Sequence, residues 1–154
     1  MADLLECLLQ IKGLRETGNR VRALMRSVDA RSRSQPEEGQ GPTAAETLAQ
    51  MADSESLHGE WLRIILAARR AAPALTGAPA TVAHSGSQVP SAGLDRFLAQ
   101  REDNLGVLDG CSAEDLARTG VLANGRLMTI ADIVAVMLAD DMDRLGDIRR
   151  ALGV

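Results

Sequence analysis

Four stretches of the chain repeat apolar residues at steps of three and four, and this spacing constrains the fold more than any other feature. The first stretch carries Cys7, Ile11, Leu14, Gly18, Val21, Met25 and Val28 along one line. The second carries Leu57, Trp61, Ile64 and Ala68, with a neighbouring line through Leu48, Ala52, Leu62 and Leu66. The third runs through Leu94, Leu98, Leu105 and Leu108, and the last through Ile130, Ile133, Met137 and Ile148. No alternating pattern competes, so strands are not expected. Ala and Leu are abundant, while Trp61 and Phe97 are the only large rings, a composition that suits helices and not sheets.

Punctuation sets the boundaries. The first helix is expected over 3–30, ended by the polar linker "RSRSQPEEGQGP". "TAAE" at 43–46 is a capping box, in which the Thr43 hydroxyl accepts from the Glu46 amide and the Glu46 carboxylate reaches back. It opens a helix expected to reach residue 70. "PALTGAPATVAHSGSQVP" lacks a period and reads as a loop long enough to let the next helix, over 91–108, run parallel to the second. "SAED" at 112–115 caps a short helix ended by Gly120, and "TIAD" at 129–132 opens the last long one. The 154 residues therefore predict one all-α domain spanning 1–154, a four-helix bundle with a short extra helix between its third and fourth long helices.

Seventeen basic against twenty-one acidic residues leave a net charge of −4, with neither a basic face nor stacking aromatics, so nucleic acid is not an expected partner. "WLRIILAARR" is broken by arginines, and no apolar run is long enough to span a bilayer, so no membrane is expected. The opening "MADLLECLLQI" has no basic leader, and a cytoplasmic location is the expectation. Cys7 and Cys111 lie far apart in sequence and suggest no disulfide framework. Cys7 reads as a buried inert thiol and Cys111 as a loop residue open to solvent.

Five polar residues fall on the apolar lines: Gln50, Glu55, Arg101, Asp140 and Arg144. Charges are seldom buried unless paired, so these side chains are expected to meet. Glu55 and Arg101 are expected to form a buried interhelical ion pair, with a guanidinium fork on a carboxylate. Asp140 and Arg144, four residues apart, are expected to face a cleft. His58, on the flank of the second helix, and His84, in the loop, read as solvated or hydrogen-bonded side chains. "DDMD" offers oxygens to a hard cation, with Asp143 among them, but Arg144 opposes that.

"TAAETLAQMADSESLHGEWLRIILA" resembles the second-helix signature of the DinB-like (YfiT-type) superfamily, in which "E-x-L-x-H-x-A-D-S-E" is usual. "FLAQREDNLGVLDG" is similar to its third helix, and "RTGVLANGRLMTIADIVAVMLADDMDRLGDIRR" to its last segment, in which "H-x-x-x-H-x-x-Q-I" is usual. The resemblance implies an up-down-down-up bundle, often dimeric, with a divalent metal such as zinc or nickel on three histidines. Those histidines fall here on Gln50, Asp140 and Arg144, and the signature glutamine on Asp147. All three ligands are replaced, so no metal cofactor is expected.

Three readings follow. The first is a metal-free binding or interaction module, a homodimer, whose former metal cleft is filled by Gln50, Asp140 and Arg144. The second is an enzyme working without metal on a small anionic or thiol ligand, such as a thiol-dependent transferase, with Arg144 or Arg101 holding a carboxylate. The third is a metal-dependent hydrolase with displaced ligands drawn from Asp140, Asp143, Glu55 or His58.

Overall fold

The computed structural model of the chain describes residues 3–27, 41–69, 71–77 and 90–154. Within them lie α1 (Leu4–Ser27), α2 (Ala44–Ala67), α3 (Pro90–Asp109), a single-turn α4 (Ala113–Leu116), the strands β1 (Thr119–Val121) and β2 (Leu127–Thr129), and α5 (Ile130–Leu152). His84 and Val28 lie outside the described residues. Each expected capping box is formed: Thr43 with Glu46, Ser112 with Asp115, and Thr129 with Asp132. α5 ends where Gly153 turns left-handed at φ 71°. The bare carbonyls at the end of α2 are covered by Arg118, whose guanidinium donates to Leu66 O at 3.1 Å and to Ala68 O.

The long helices bury their apolar lines in two clusters, one toward each end of the bundle. One cluster gathers Cys7, Ile11 and Leu14 of α1, Trp61, Leu62 and Ile65 of α2, Leu105 and Leu108 of α3, and Ile130 to Met137 of α5. The other gathers Val21 and Met25, Leu48 and Met51, Phe97, and Leu145, Ile148 and Leu152. The N-terminal halves of α1 and α5 thus share one end with the C-terminal halves of α2 and α3. That arrangement is an up-down-down-up bundle, and α2 and α3 run parallel, as the length of the loop between them allows.

Two glycines bring α2 and α3 into close approach. A Cβ on Gly93 would stand 3.0 Å from the Ala49 amide nitrogen and 3.1 Å from the Leu48 carbonyl carbon. A Cβ on Gly59 would collide with the Asn104 side chain.

The strands correct the expectation that none would form. β1 and β2 pair antiparallel, with Gly120 opposite Met128, and Val121 also bridges Ala74 in parallel fashion. The signal was in "ANGR": Gly125 sits at φ 82°, and the Asn124 side chain accepts from the Arg126 amide at 3.0 Å. Asn-Gly between β-prone residues is a hairpin turn. Trp61 Nε1 donates to Thr76 O at 2.8 Å and ties the segment beside the hairpin to the bundle.

Candidate functional site

Between the two apolar clusters lies a polar layer centred on Arg101. Glu55 and Arg101 are each 3% exposed and Asp141 is 4% exposed. The Arg101 guanidinium lies between the two carboxylates. Nε donates to Glu55 Oε1 at 2.7 Å and Nη2 to Glu55 Oε2 at 2.8 Å. Nη1 donates to Asp141 Oδ2 at 2.7 Å and Nη2 also donates to Asp141 Oδ1 at 2.8 Å. The remaining Nη1 proton goes to Leu14 O at 2.9 Å. A guanidinium has five N–H donors, and all are committed.

The surrounding groups complete the layer. Thr17 lies against Asp141, donating to Oδ2, with Leu14 O 3.2 Å from its hydroxyl. Asn104 Nδ2 donates to Glu55 O and Oε1, both at 3.0 Å, while its Oδ1 accepts from Arg63 at 3.1 Å. The Phe97 ring centre is 4.8 Å from Arg101 Cζ, a cation–π contact. Burial works against the Arg101 charge, but its hydrogen bonds to Asp141 and Glu55, with their charges, outweigh it and hold its pKa above the ordinary value. One side chain therefore joins all four long helices, and it has no donor left for a ligand.

Asp140 and Arg144 correct a second expectation. The inward line of α5 runs through Ile130, Val134, Met137, Asp141, Leu145, Ile148 and Leu152, all buried, so the inward acid is Asp141. Asp140 and Arg144 are only half-buried and make no ion pair with each other among the described residues. Arg144 Nη1 instead meets Asp147 Oδ2 at 3.4 Å, and Arg144 Nε is buried without a partner. Gln50 is half-buried, with no side-chain hydrogen bond among the described residues. It precedes Met51, which shares a cluster with the Leu145 that follows Arg144.

His58 is 5% exposed rather than solvated on a flank. Its ring meets Trp61 edge-on at 5.6 Å and 67°. Burial pulls its pKa below the ordinary value, more strongly than the charges of Glu55, Asp140 and Asp141 push it up, while Arg101 also lowers it. The imidazole is neutral at pH 7. Sequence reasoning missed Asp141, Thr17 and Asn104. For Asp141 a signal existed: the line through Asp141 and Leu145 meets one charge, whereas the line through Asp140 and Arg144 meets two.

The donor set at 50, 140 and 144 does not fit a divalent transition metal, because a guanidinium has no free lone pair and its fixed charge repels a cation. Among the described residues, no three His, Cys, Asp or Glu side chains are grouped so as to hold a metal ion.

An up-down-down-up helical bundle crossed by a buried polar layer defines the class of protein. The chain belongs to the DinB superfamily, whose family description matches residues 13–148. Among solved structures, YfiT from Bacillus subtilis, described as a probable metal-dependent hydrolase with an unusual four-helix bundle topology, is similar in fold. The TM-score is 0.80 at 13% identity, over 99% of this chain and 91% of that one. A mutant of the mycothiol-dependent maleylpyruvate isomerase is also similar, with a TM-score of 0.71 at 11% identity, over 95% of this chain and 65% of that one. No curated protein matches the sequence.

Proposed function

We propose that this protein is a metal-free binding module whose ligand is a small carboxylate- or phosphate-bearing molecule held at Arg144, with Gln50 and Asp140 the other two family metal-site positions. The observation that carries the reading is the contrast between two arginines, one buried and one half-buried. Arg101 is saturated, so it cannot be the group that holds a ligand. Arg144 keeps Nε buried without a partner and meets Asp147 only at 3.4 Å. An unpaired donor in a half-buried guanidinium is what a bidentate anion would satisfy. The Gln50 amide can donate to a ligand oxygen. The homodimer implied by the family resemblance is part of this reading; exposed Leu5, Leu8 and Leu9 on α1 offer apolar surface for it.

Thermal-shift titration with inorganic phosphate and with small mono- and dicarboxylic acids tests the ligand. Wild type is expected to melt at rising temperature as ligand is added, and Arg144→Met is expected to lose that rise while folding normally. An unchanged rise in Arg144→Met would overturn the assignment. Light scattering on the full chain tests the dimer, and elemental analysis of untagged protein should find less than one equivalent of zinc, nickel or iron.

A further inference from the structure

The chain has two cysteines, and the fold brings both to the same end of the bundle. Cys7 sits in the first turn of α1 and is 1% exposed. Cys111 follows α3 at the corner before α4, is half-buried, and packs against the apolar cluster that contains Cys7. Its thiol donates to Val107 O at 3.4 Å, and the Cys111 amide donates to Leu108 O at 3.0 Å, so the corner is held in place. A cavity of about 560 Å³ lies beside Cys7, with Leu4 and Cys7 of α1 on its wall together with Ala113 and Leu116 of α4. Cys7 thus faces the element that begins just after Cys111.

We propose that Cys7 and Cys111 are a dithiol pair that oxidises to an intramolecular disulfide, fastening the first turn of α1 to the corner between α3 and α4. With a peroxide as oxidant the electrons balance in two steps. The Cys111 thiolate, the more exposed of the two, attacks a peroxide oxygen. The O–O bond breaks, hydroxide leaves and is protonated to water, and Cys111 becomes a sulfenic acid. Cys7 sulfur then attacks the Cys111 sulfur. The S–O bond breaks, and the departing hydroxide takes up the Cys7 proton as a second water. Two thiols lose two electrons in all, and one peroxide gains them.

Burial pushes both thiols above their ordinary pKa, first by desolvation, with the neighbouring Glu6 adding to Cys7 and Asp115 adding to Cys111. Cys111 also feels the charge of Cys7, as thiols near one another do. Little thiolate exists at neutral pH, so the oxidation is slow there and quickens by up to about tenfold per pH unit as pH rises. The bond would close a loop of about 100 residues, which strongly restricts the unfolded chain.

The test uses the full-length protein, reduced, desalted and treated with hydrogen peroxide. After denaturation the thiol count is expected to fall from two to zero, and non-reducing digestion is expected to give one linked peptide pair containing Cys7 and Cys111. Tm should rise by on the order of 10 °C, reversed by dithiothreitol. Cys111→Ser should fold normally, form no link, and show no rise. Two thiols that survive oxidation would overturn the proposal. So would a sulfinic acid on Cys111 with Cys7 still free, or a dimer joined through two Cys111 residues.

Discussion

Two arginines alike in charge and size, one buried and one half-buried, show what the surroundings do to a guanidinium. Arg101 gives all five protons to Glu55, Asp141 and Leu14 and rests against Phe97. Arg144 has one long contact to Asp147 and a buried Nε with nothing opposite. A saturated guanidinium is an architectural joint, because any incoming anion must first break a bond that already exists. An unsaturated one retains capacity for a ligand. Position on an apolar line does not distinguish the two; counting partners does.

The sharpest way to break this comparison is Arg101→Met. It leaves Glu55 and Asp141 buried without their shared cation and should cost roughly 3–5 kcal/mol in denaturant unfolding. A loss under about 1 kcal/mol, typical of an exposed pair, would contradict the geometry of the layer. A smaller effect separates the adjacent acids. Asp141→Asn removes the charge opposite Arg101 and should cost about 2 kcal/mol, whereas Asp140→Asn should change stability by under about 0.5 kcal/mol. Equal effects would mean that α5 is rotated from the position described.

Next comes acidity. The folded His58 pKa lies below its unfolded value, so its contribution to stability is fully present above about pH 6.5 and is lost as pH falls through the folded pKa. Glu55, Asp140, Asp141 and Arg101 all act on this ring, so the comparison is with His58→Gln, which should show a shallower loss of stability on the acid side. An identical pH profile would show that His58 is not held neutral. Smallest of all, Arg144→Met should cost less than about 1 kcal/mol without ligand, since its contact to Asp147 is long and partly exposed.

Much of the architecture was legible from periodicity and caps, because both act locally. Thr43, Ser112 and Thr129 announce helix starts through bonds within four residues, and no tertiary contact has to be known to read them. Glu55 and Arg101 were legible for a related reason: each is a lone charge on an apolar line, and burial of one demands the other. Asp140 misleads because "DD" offers two acids a hundred degrees apart on the helix, and the packing of Leu145 and Leu152 bears out the line that meets fewer charges. Thr17 and Asn104 were not legible, since small polar residues are tolerated on many faces and their partners come from other helices. The hairpin is only faintly legible although "ANGR" carries its signal, because three-residue strands are too short to show alternation.

The close approach of α2 and α3 at Gly59 and Gly93 has a mechanical consequence. Those two helices form one stiff leaf, with the Asn104 side chain seated against Gly59 and the backbone of α2 at Leu48 and Ala49 lying directly against Gly93. The Arg101–Glu55 bond lies inside this leaf, whereas the bonds from Arg101 to Asp141 and Leu14 cross to the rest of the molecule. Any breathing motion that parts α1 and α5 from the leaf must therefore release one rivet, and releases it from both helices together. The bundle opens as a book opens at its spine, in a single cooperative event, and the amides of α1 and α5 near Leu14 and Asp141 should exchange with solvent at matched rates.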